Sequence, residues 1–218
     1  MAESQKCLGK GSPAPGPVPK KHIQLYSMRF CPFAQWTRLV LNWQVSYLRR
    51  MKLGMKVFFC AEDLIWESPI TCEYLNEVYP EKKLLPSDPF ERAQQKMLMN
   101  GCSFQVTPYF YKTPVSKTKG EDVSALEAEL KRNSPNLMMI DYMMWPWFER
   151  MEMMDLNNTH ADNFFILSSC LDGTPQLKKW TEHMLEDPPV KATVFSTDNY
   201  KVFYKSYMEG TPDYDYGL

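Results

Sequence analysis

The pair Cys31-Pro32 is the strongest candidate for chemistry in this sequence of 218 residues. A thiol at the first turn of a helix faces unpaired backbone N–H groups and the positive end of the helix dipole, and both favour the thiolate. Pro32 suits a first helical position, where its missing N–H is not needed. The second thiol of a dithiol site would stand at position 34, which is Ala34, so we predict a monothiol that forms mixed disulfides. A buried structural cysteine is the competing interpretation.

A second candidate site is Glu67-Ser68, where an apolar helical pattern begins. Ser68 is predicted to cap this helix and Pro69 to be its first residue. A carboxylate, a hydroxyl and backbone N–H groups at one helix start can hold an amino-acid group: the N–H groups bind its carboxylate and Glu67 binds its ammonium. Helix capping alone explains the same residues, so this site is informative only together with Cys31.

A short strand and a helix are the elements that would position Cys31. Ile23 and Leu25 alternate with polar neighbours over 22–28, which predicts the strand. The helix after Pro32 carries an apolar stripe at helical spacing, namely Trp36, Val40, Trp43 and Tyr47. The helix after Ser68 has a predicted apolar face formed by Ile70, Tyr74, Leu75 and Val78.

The second half of the chain is predicted to be helical, because its apolar residues recur with the helical period. Asp88 is typical of a helix start, Thr174-Pro175 opens a further helix, and Pro146 is predicted to kink the helix that contains it. The stretch 84–87 is predicted to be a linker, and the Pro/Gly-rich stretch 10–19 an irregular arm. The predicted organisation is an arm at 1–21, an α/β domain at 22–86 and an all-helical domain at 87–218.

Composition excludes several classes of function. The chain has 25 Lys and Arg against 26 Asp and Glu, so its net charge of −1 gives no reason to expect nucleic acid as a partner. A mean hydropathy of −0.43 and the lack of a long uncharged apolar run argue against a stable membrane span. Six cysteines without a Cys-x-x-Cys pair, beside three histidines, predict no metal site and no disulfide framework. With no apolar signal core at the N-terminus, we expect the reducing cytosol.

The segments around both candidate sites resemble the omega class of glutathione transferases. Tyr-Ser-Met-Arg-Phe-Cys-Pro-Phe-Ala at 26–34 carries the strongest likeness. The other matching segments are the arm at 8–19, 37–41, 67–75, 83–89, Ile-Asp-Tyr at 140–142, Trp-Pro-Trp-Phe-Glu-Arg at 145–150 and Asp-Tyr-Gly-Leu at 215–218. The Pro-rich arm together with a cysteine in the catalytic position separates this class from those that use Tyr or Ser.

The resemblance implies a glutathione transferase fold, with an α/β thioredoxin-like N-terminal domain and an all-α C-terminal domain, in a homodimer. It implies glutathione as cosubstrate, no metal, and an oxidoreductase chemistry of thiol transfer, dehydroascorbate reduction and methylarsonate reduction on small electrophiles and disulfides, as in xenobiotic metabolism. Cys31 takes the role of nucleophile, and Tyr200 stands near the acceptor-substrate pocket. The implied glutathione-binding residues are Glu67, Ser68, Val57 and Phe33.

The stretch 42–66 is short for this fold. A thioredoxin-like domain still needs a strand, a helix and a hairpin after its first helix, which takes about 35–40 residues, whereas 42–66 offers 25. The family has a Val-Pro pair with a cis peptide bond before its third strand, and the nearest match is Val57-Phe58. A non-proline cis bond costs ~2.5–4 kcal/mol, so this bond is predicted to be trans and the glutathione site to be damaged.

Met138 is a further departure from the family. It stands three residues before Asp141, where the family has a Ser or Thr that caps the helix. Loss of a side-chain cap costs ~0.5–2 kcal/mol, so we expect this helix start to be weakened.

Two other functions stay open beside a glutathione transferase with dehydroascorbate reductase activity. The first is a non-catalytic scaffold or binding protein of the same fold, which would keep the dimer surface but not turnover. The second is a chloride-intracellular-channel-like protein, since that family shares the strand–Cys-Pro-Phe–helix start and can enter membranes. The Trp-Pro-Trp-Phe segment at 145–148 and the terminal Asp-Tyr-Gly-Leu favour the omega class.

Overall fold

The computed structural model describes residues 25–48, 65–112, 137–151 and 175–218. Its helices are α1 Pro32–Leu48, α2 Ser68–Val78, α3 Pro89–Lys112, α4 Met139–Met151, α5 Pro175–Glu186, α6 Pro188–Thr193 and α7 Thr197–Met208, with a 3₁₀ turn at Pro80–Lys82. They fall into two compact units. The first holds the described residues up to Lys82 together with Asp198–Leu218, and the second holds those of Lys83–Thr197. The domain boundaries after residues 21 and 86 stay predictions.

The helix α1 begins at Pro32, as the sequence predicts. Trp36 and Val40 from the predicted stripe are buried, together with Leu39. The end of α1 is held by the 3₁₀ turn, because Trp43 Nε1 donates a hydrogen bond to the carbonyl of Lys82 at 3.3 Å. Trp36, Leu39 and Val40 therefore belong to the core of the first unit. Trp43 is half-buried, and the side chain of Tyr47 lies outside those that the structure describes.

The predicted apolar face of α2 is wrong for three of its four residues. Leu75 is buried, but the buried face is completed by Thr71, Cys72 and Asn76. The other predicted members, Ile70, Tyr74 and Val78, are 55%, 39% and 46% exposed. Both stripes have helical spacing, and α2 packs against α1 through the one with the smaller side chains. Small side chains let two helices approach closely, which apolar periodicity alone does not reveal.

The predicted strand at 22–28 is not formed in its described half, 25–28, and no described residue is in a strand. A strand needs a neighbouring strand to pair its backbone groups. The carbonyl of Met28 instead accepts hydrogen bonds from the N–H of Cys31 and from Arg38. Residues 22–24, the arm at 1–21 and the Val57-Phe58 pair lie outside the described residues.

Asp88 caps α3, as predicted. Its Oδ1 accepts hydrogen bonds from the N–H groups of Phe90 at 3.0 Å and Glu91 at 2.9 Å. The carboxylate satisfies two of the N–H groups that every helix leaves unpaired at its start. None of the described helices is long and apolar enough to cross a membrane.

The stretch 84–87, predicted as a linker, contributes to the core of the second unit. Leu84 and Leu85 are buried, and the carbonyl of Leu84 accepts a hydrogen bond from the N–H of Met139 at 2.9 Å. This bond ties the start of α4 to the stretch before α3. The helix α5 carries an apolar stripe that the sequence predicts from the spacing of Leu177, Trp180, Met184 and Leu185. The first three of these residues are buried, whereas Leu185 is exposed.

The start of α4 keeps half of a capping box. Asp141 Oδ2 accepts a hydrogen bond from the N–H of Met138 at 2.6 Å, and its Oδ1 accepts one from Trp180 Nε1 at 2.8 Å. Met138 supplies no hydroxyl to the reciprocal bond, and its sulfur accepts from Gln95 Nε2 at 3.0 Å. The capping box therefore lacks the bond from a side-chain hydroxyl at position 138, while the bond from the N–H of Met138 to the Asp141 carboxylate is formed. Pro146 lies inside α4, as predicted.

Candidate functional site

Cys31 is the last residue before α1, where the sequence predicts it. Its carbonyl accepts the first helical hydrogen bond, from the N–H of Gln35 at 3.0 Å, and its own N–H donates to the carbonyl of Met28 at 3.3 Å. The residue is a half-buried free cysteine. Its thiol therefore belongs to a helix start, at the positive end of the dipole of α1.

Arg38 fixes the backbone before Cys31, and sequence reasoning missed it. From the second turn of α1, its guanidinium donates to Ser27 Oγ at 2.6 Å, to the carbonyl of Met28 at 2.9 Å and to the carbonyl of Arg29 at 2.8 Å. The fork of N–H donors suits several acceptors at once, which a lysine ammonium would not match. The turn that carries Cys31 is thus tied to its own helix. The sequence signal that could have identified it is an arginine seven residues after Cys31, in the second turn of the predicted helix.

Phe30 anchors the same turn in the core of the first unit. Its ring stacks on Phe203 with centroids 4.4 Å apart and meets the edge of Tyr200 at 6.0 Å. Tyr200 is 2% exposed. This predicted acceptor-pocket residue therefore packs against the neighbour of Cys31, and its role with substrate stays a prediction. Phe33 lies in the first turn of α1, with its ring edge-to-face with Trp36 at 4.9 Å.

The structure places Glu67, and not Ser68, as the cap residue of α2, so the prediction of Ser68 as the cap is wrong by one position. Glu67 has φ 68° and ψ 116°, a backbone conformation that a residue with a side chain adopts only at a cost. Its carbonyl accepts from the N–H of Thr71 at 2.9 Å and from Thr71 Oγ1 at 3.0 Å. The carboxylate makes no capping bond and is exposed. Val57, the remaining predicted contact, lies outside the described residues.

Cys72 provides a contrast within the same unit. Its side chain is 0% exposed on the buried face of α2, with its sulfur 4.0 Å from Thr37 Oγ1 of α1. Burial raises the pKa of this thiol from 9.0 to about 12. A thiol that stays protonated and out of contact with solvent is not a nucleophile. Cys72 is therefore a packing residue.

A buried polar cluster in the second unit has a structural role. Tyr142 donates from its hydroxyl to Asp187 Oδ2 at 3.0 Å, and the same oxygen accepts from the N–H of Val190 at 3.4 Å, which caps α6. Burial raises the pKa of Asp187 and that of Tyr142. The described residues contain no group of three or more His, Cys, Asp or Glu side chains that could hold a metal ion.

Comparison with known proteins gives extensive similarity. The chain is 38% identical to glutathione S-transferase omega-1 of Sus scrofa, over 99% of its own length and 98% of that protein. It is 34% identical to glutathione S-transferase omega-2 of Homo sapiens, over 99% of its length and 98% of that protein. Among solved structures, glutathione transferase Omega 2C of Trametes versicolor superposes with a TM-score of 0.67 at 20% identity, covering 86% of this chain and 99% of that one. No protein-family model matches the chain.

The alignment with the Sus scrofa protein also bears on the length of the chain. It spans 250 positions, whereas this chain has 218 residues. At least 32 aligned positions, the difference between the two numbers, therefore hold no residue of this chain. Because the alignment covers nearly the whole of both proteins, these positions lie inside it. The shortening of 42–66 in particular stays a prediction.

Proposed function

We propose that this chain, which belongs to the omega class of glutathione transferases, transfers thiols with Cys31 as its nucleophile. It has the thioredoxin-like and helical domains of the glutathione transferase fold and is a glutathione-dependent transferase. The observation that carries the proposal is the position of Cys31, a half-buried free thiol at the start of α1 in a turn held by Arg38. The other cysteine whose side chain is described, Cys72, is fully buried.

The proposed reaction is thiol–disulfide exchange in two steps. The Cys31 thiolate attacks one sulfur of a glutathione-containing disulfide, forms a new S–S bond to glutathione and releases the other half as a thiolate. A second glutathione thiolate then attacks the mixed disulfide, which frees Cys31 and forms oxidised glutathione. When dehydroascorbate or methylarsonate is the acceptor, two glutathione molecules supply its two electrons and become one disulfide. These acceptors are the finer part of the proposal.

Glu67 and Ser68 are proposed to bind the γ-glutamyl end of glutathione. The Glu67 carboxylate is exposed and makes no capping bond, so it is available to the ammonium group. The N–H groups at the start of α2 are available to the carboxylate of the same amino-acid end. The positive φ of Glu67 supports this assignment, since a strained backbone persists where the surrounding structure requires it. Phe33 and Val57 complete the proposed site.

Trapping the mixed disulfide tests the proposal directly. The protein is incubated with oxidised glutathione, digested without reductant and mapped by mass spectrometry. We expect glutathione on the Cys31 peptide, and none on the Cys72 peptide as long as the protein stays folded. A folded protein that carries no glutathione on Cys31 would contradict the proposed nucleophile.

A non-catalytic binding protein is the second candidate, favoured by the aligned positions that this chain lacks. If the backbone pair beside the family's cis-proline is lost, one or two hydrogen bonds of ~0.5–1.5 kcal/mol each disappear, about tenfold in glutathione affinity. Misplacement of the glutathione sulfur lowers the rate further. Calorimetry and steady-state kinetics, on this chain and on a chimera with a full-length segment at 42–66, separate the two functions. Equal affinity and turnover in both proteins would refute a damaged site, whereas binding without turnover would favour the scaffold.

We also propose a homodimer in the cytosol. The exposed stripe on α2, formed by Ile70, Tyr74 and Val78, is an apolar helix face at i, i+4 and i+8 that a second copy would cover. Sedimentation of the parent and of Tyr74→Lys tests this idea. We expect a dimer for the parent and a shift toward monomer for the variant, and a monomeric parent would contradict it.

A further inference from the structure

The last four residues of the chain form a tight turn. The N–H of Leu218 donates to the carbonyl of Asp215 at 3.0 Å. Gly217, the third residue, has φ +76°, which favours glycine at this position of a turn. A Cβ added to Gly217 would lie 3.4 Å from Asn199 Oδ1 of α7. The turn thus lies directly beside Asn199 of α7.

This turn is bonded to the residues that precede Cys31. Arg29 Nη1 donates to the carbonyl of Tyr216 at 2.5 Å and Nη2 donates to the carbonyl of Gly217 at 3.3 Å. The guanidinium carbon also lies 5.3 Å from the centre of the Phe30 ring. The fixed fork of the guanidinium matches two successive carbonyls, so the contact fixes the position of the side chain relative to the turn as well as attracting it. The side chain of Arg29 therefore reaches the C-terminus while its backbone stays in the turn that leads to Cys31.

We propose that Arg29 is a positioning residue for Cys31, and that the C-terminal turn at 215–218 is a working part of the thiol site. Arg38 holds the carbonyl of Arg29 from the side of α1, and the C-terminal turn holds its guanidinium from the opposite end of the chain. Between them they fix the backbone that accepts the N–H of Cys31. The inference rests on the proposed role of Cys31 in thiol transfer.

The chemical consequence is a change in rate more than in binding. Arg29 is proposed to touch neither glutathione nor the acceptor. Glutathione is assigned to Glu67, Ser68, Phe33 and Val57, and the acceptor to the surface beside Cys31. Loosening the turn would let the sulfur move relative to the first N–H groups of α1 and to the bound disulfide. A displacement of about an ångström is enough to lower a rate strongly without weakening substrate binding.

Arg92 offers a matched control in the second unit. It too donates to two successive main-chain carbonyls, from Nε to that of Pro86 at 2.9 Å and from Nη2 to that of Ser87 at 2.8 Å. Arg29→Ala and Arg92→Ala each remove an arginine fork from a backbone turn. Only the first of these forks lies next to Cys31 in the chain.

The test is the rate at which iodoacetamide alkylates Cys31 at pH 7, followed by peptide mass spectrometry below the unfolding temperature of each variant. We expect Arg29→Ala to react about tenfold more slowly than the parent and Arg92→Ala to react like the parent. Arg29→Lys should be intermediate, because its ammonium keeps N–H donors on one nitrogen but lacks the fork that spans two carbonyls. In steady-state kinetics, Arg29→Ala should lower kcat and leave the KM for glutathione unchanged. If Arg29→Ala only lowers the melting temperature and Cys31 reacts as in Arg92→Ala, the inference is wrong.

A deletion of residues 216–218 keeps the inference falsifiable if Arg29→Ala does not fold. It removes the two carbonyls that accept from Arg29 and leaves Arg29 in place, so the alkylation rate of Cys31 should fall by the same factor. Combining the deletion with Arg29→Ala should lower that rate no further. Parent-like alkylation in the deletion would overturn the inference. Alkylation does not require turnover, so a failure of the proposed function, seen as thiol transfer that survives Cys31→Ser, remains a separate result.

Discussion

Cys31 and Cys72 belong to the same compact unit, yet the structure gives them opposite environments. Cys31 precedes α1 and is half-buried, in a turn whose carbonyls are held by Arg38. Cys72 lies one turn inside α2 and is completely buried against α1, beside the hydroxyl of Thr37. Both cysteines lie near the start of a helix. A helix start alone therefore does not make a thiol reactive, because the thiol must also be accessible and free to ionise.

The largest expected difference between the two thiols is their rate of alkylation. Raising the pKa of Cys72 from 9.0 to about 12 alone lowers its thiolate fraction by about 10³ at neutral pH, relative to an ordinary cysteine. We expect iodoacetamide at pH 7 to label Cys31 at least that much faster than Cys72, as measured by peptide mapping over time. Comparable alkylation rates for the two cysteines in folded protein would contradict this difference in reactivity.

Activity should depend on Cys31 and be nearly indifferent to Cys72. Cys31→Ser replaces the thiolate with a far weaker nucleophile, so we expect thiol transfer and dehydroascorbate reduction to fall by about a hundredfold or more. Cys72→Ala is the matched control and should keep activity within about twofold. Initial rates at equal concentrations of folded protein measure both. Dehydroascorbate reduction that survives in Cys31→Ser would place the nucleophile elsewhere.

Alkaline pH should destabilise the protein through Cys72. Below pH 9 the thiol is protonated in both states. Between 9.0 and about 12 the unfolded chain loses this proton while burial lets the folded chain keep it, so stability is lost as pH rises. The slope contributed by this one group approaches ~1.4 kcal/mol per pH unit.

Urea unfolding of the parent and of Cys72→Ala, at several values from pH 8 to 11, measures this contribution. The free energy of unfolding should fall less steeply with pH in the variant, while the other titrating groups act equally on both proteins. Parallel curves would show that Cys72 titrates normally in the folded state.

The smallest expected effect is on the free energy of unfolding, where substitution of Cys72 should cost more than substitution of Cys31. Cys72→Ala leaves a small cavity between α1 and α2 and should cost about 1 kcal/mol, like the removal of one buried methyl group. Cys31→Ala removes a half-exposed side chain and should cost less than about 0.5 kcal/mol. Urea unfolding at pH 7 gives both values. A larger loss for Cys31→Ala would mean that its thiol contributes to packing.

Local features of the fold could be predicted from the sequence. Pro32 begins α1, Asp88 caps α3, and three of the four residues of the α5 stripe are buried, because each feature depends on residues within one or two turns of each other. The capping residue of α2 was misplaced by one position, since Glu67 takes a backbone conformation that its side chain disfavours. Local preference was overridden there by the surrounding structure.

The candidate site could be predicted only in part. The sequence pointed to Cys31 and Glu67 through helix starts and a family likeness, but it gave no sign of the bond from Arg29 to Tyr216, 187 residues away. Nor could it show that α2 packs through Cys72 and leaves Tyr74 exposed, because both stripes have the same period.

The sequence by itself determined where α1 and α3 begin, which family the chain resembles, and that Cys31 stands before a proline at a helix start. Those properties arise from backbone groups and side chains close together in the chain. The tertiary structure alone decided that Cys72 is buried, that the face of α2 with Ile70 is exposed, and that the C-terminal turn reaches Arg29. Burial and contacts between distant residues depend on how helices pack, and packing is set by the shapes of surfaces that come together only in the folded chain.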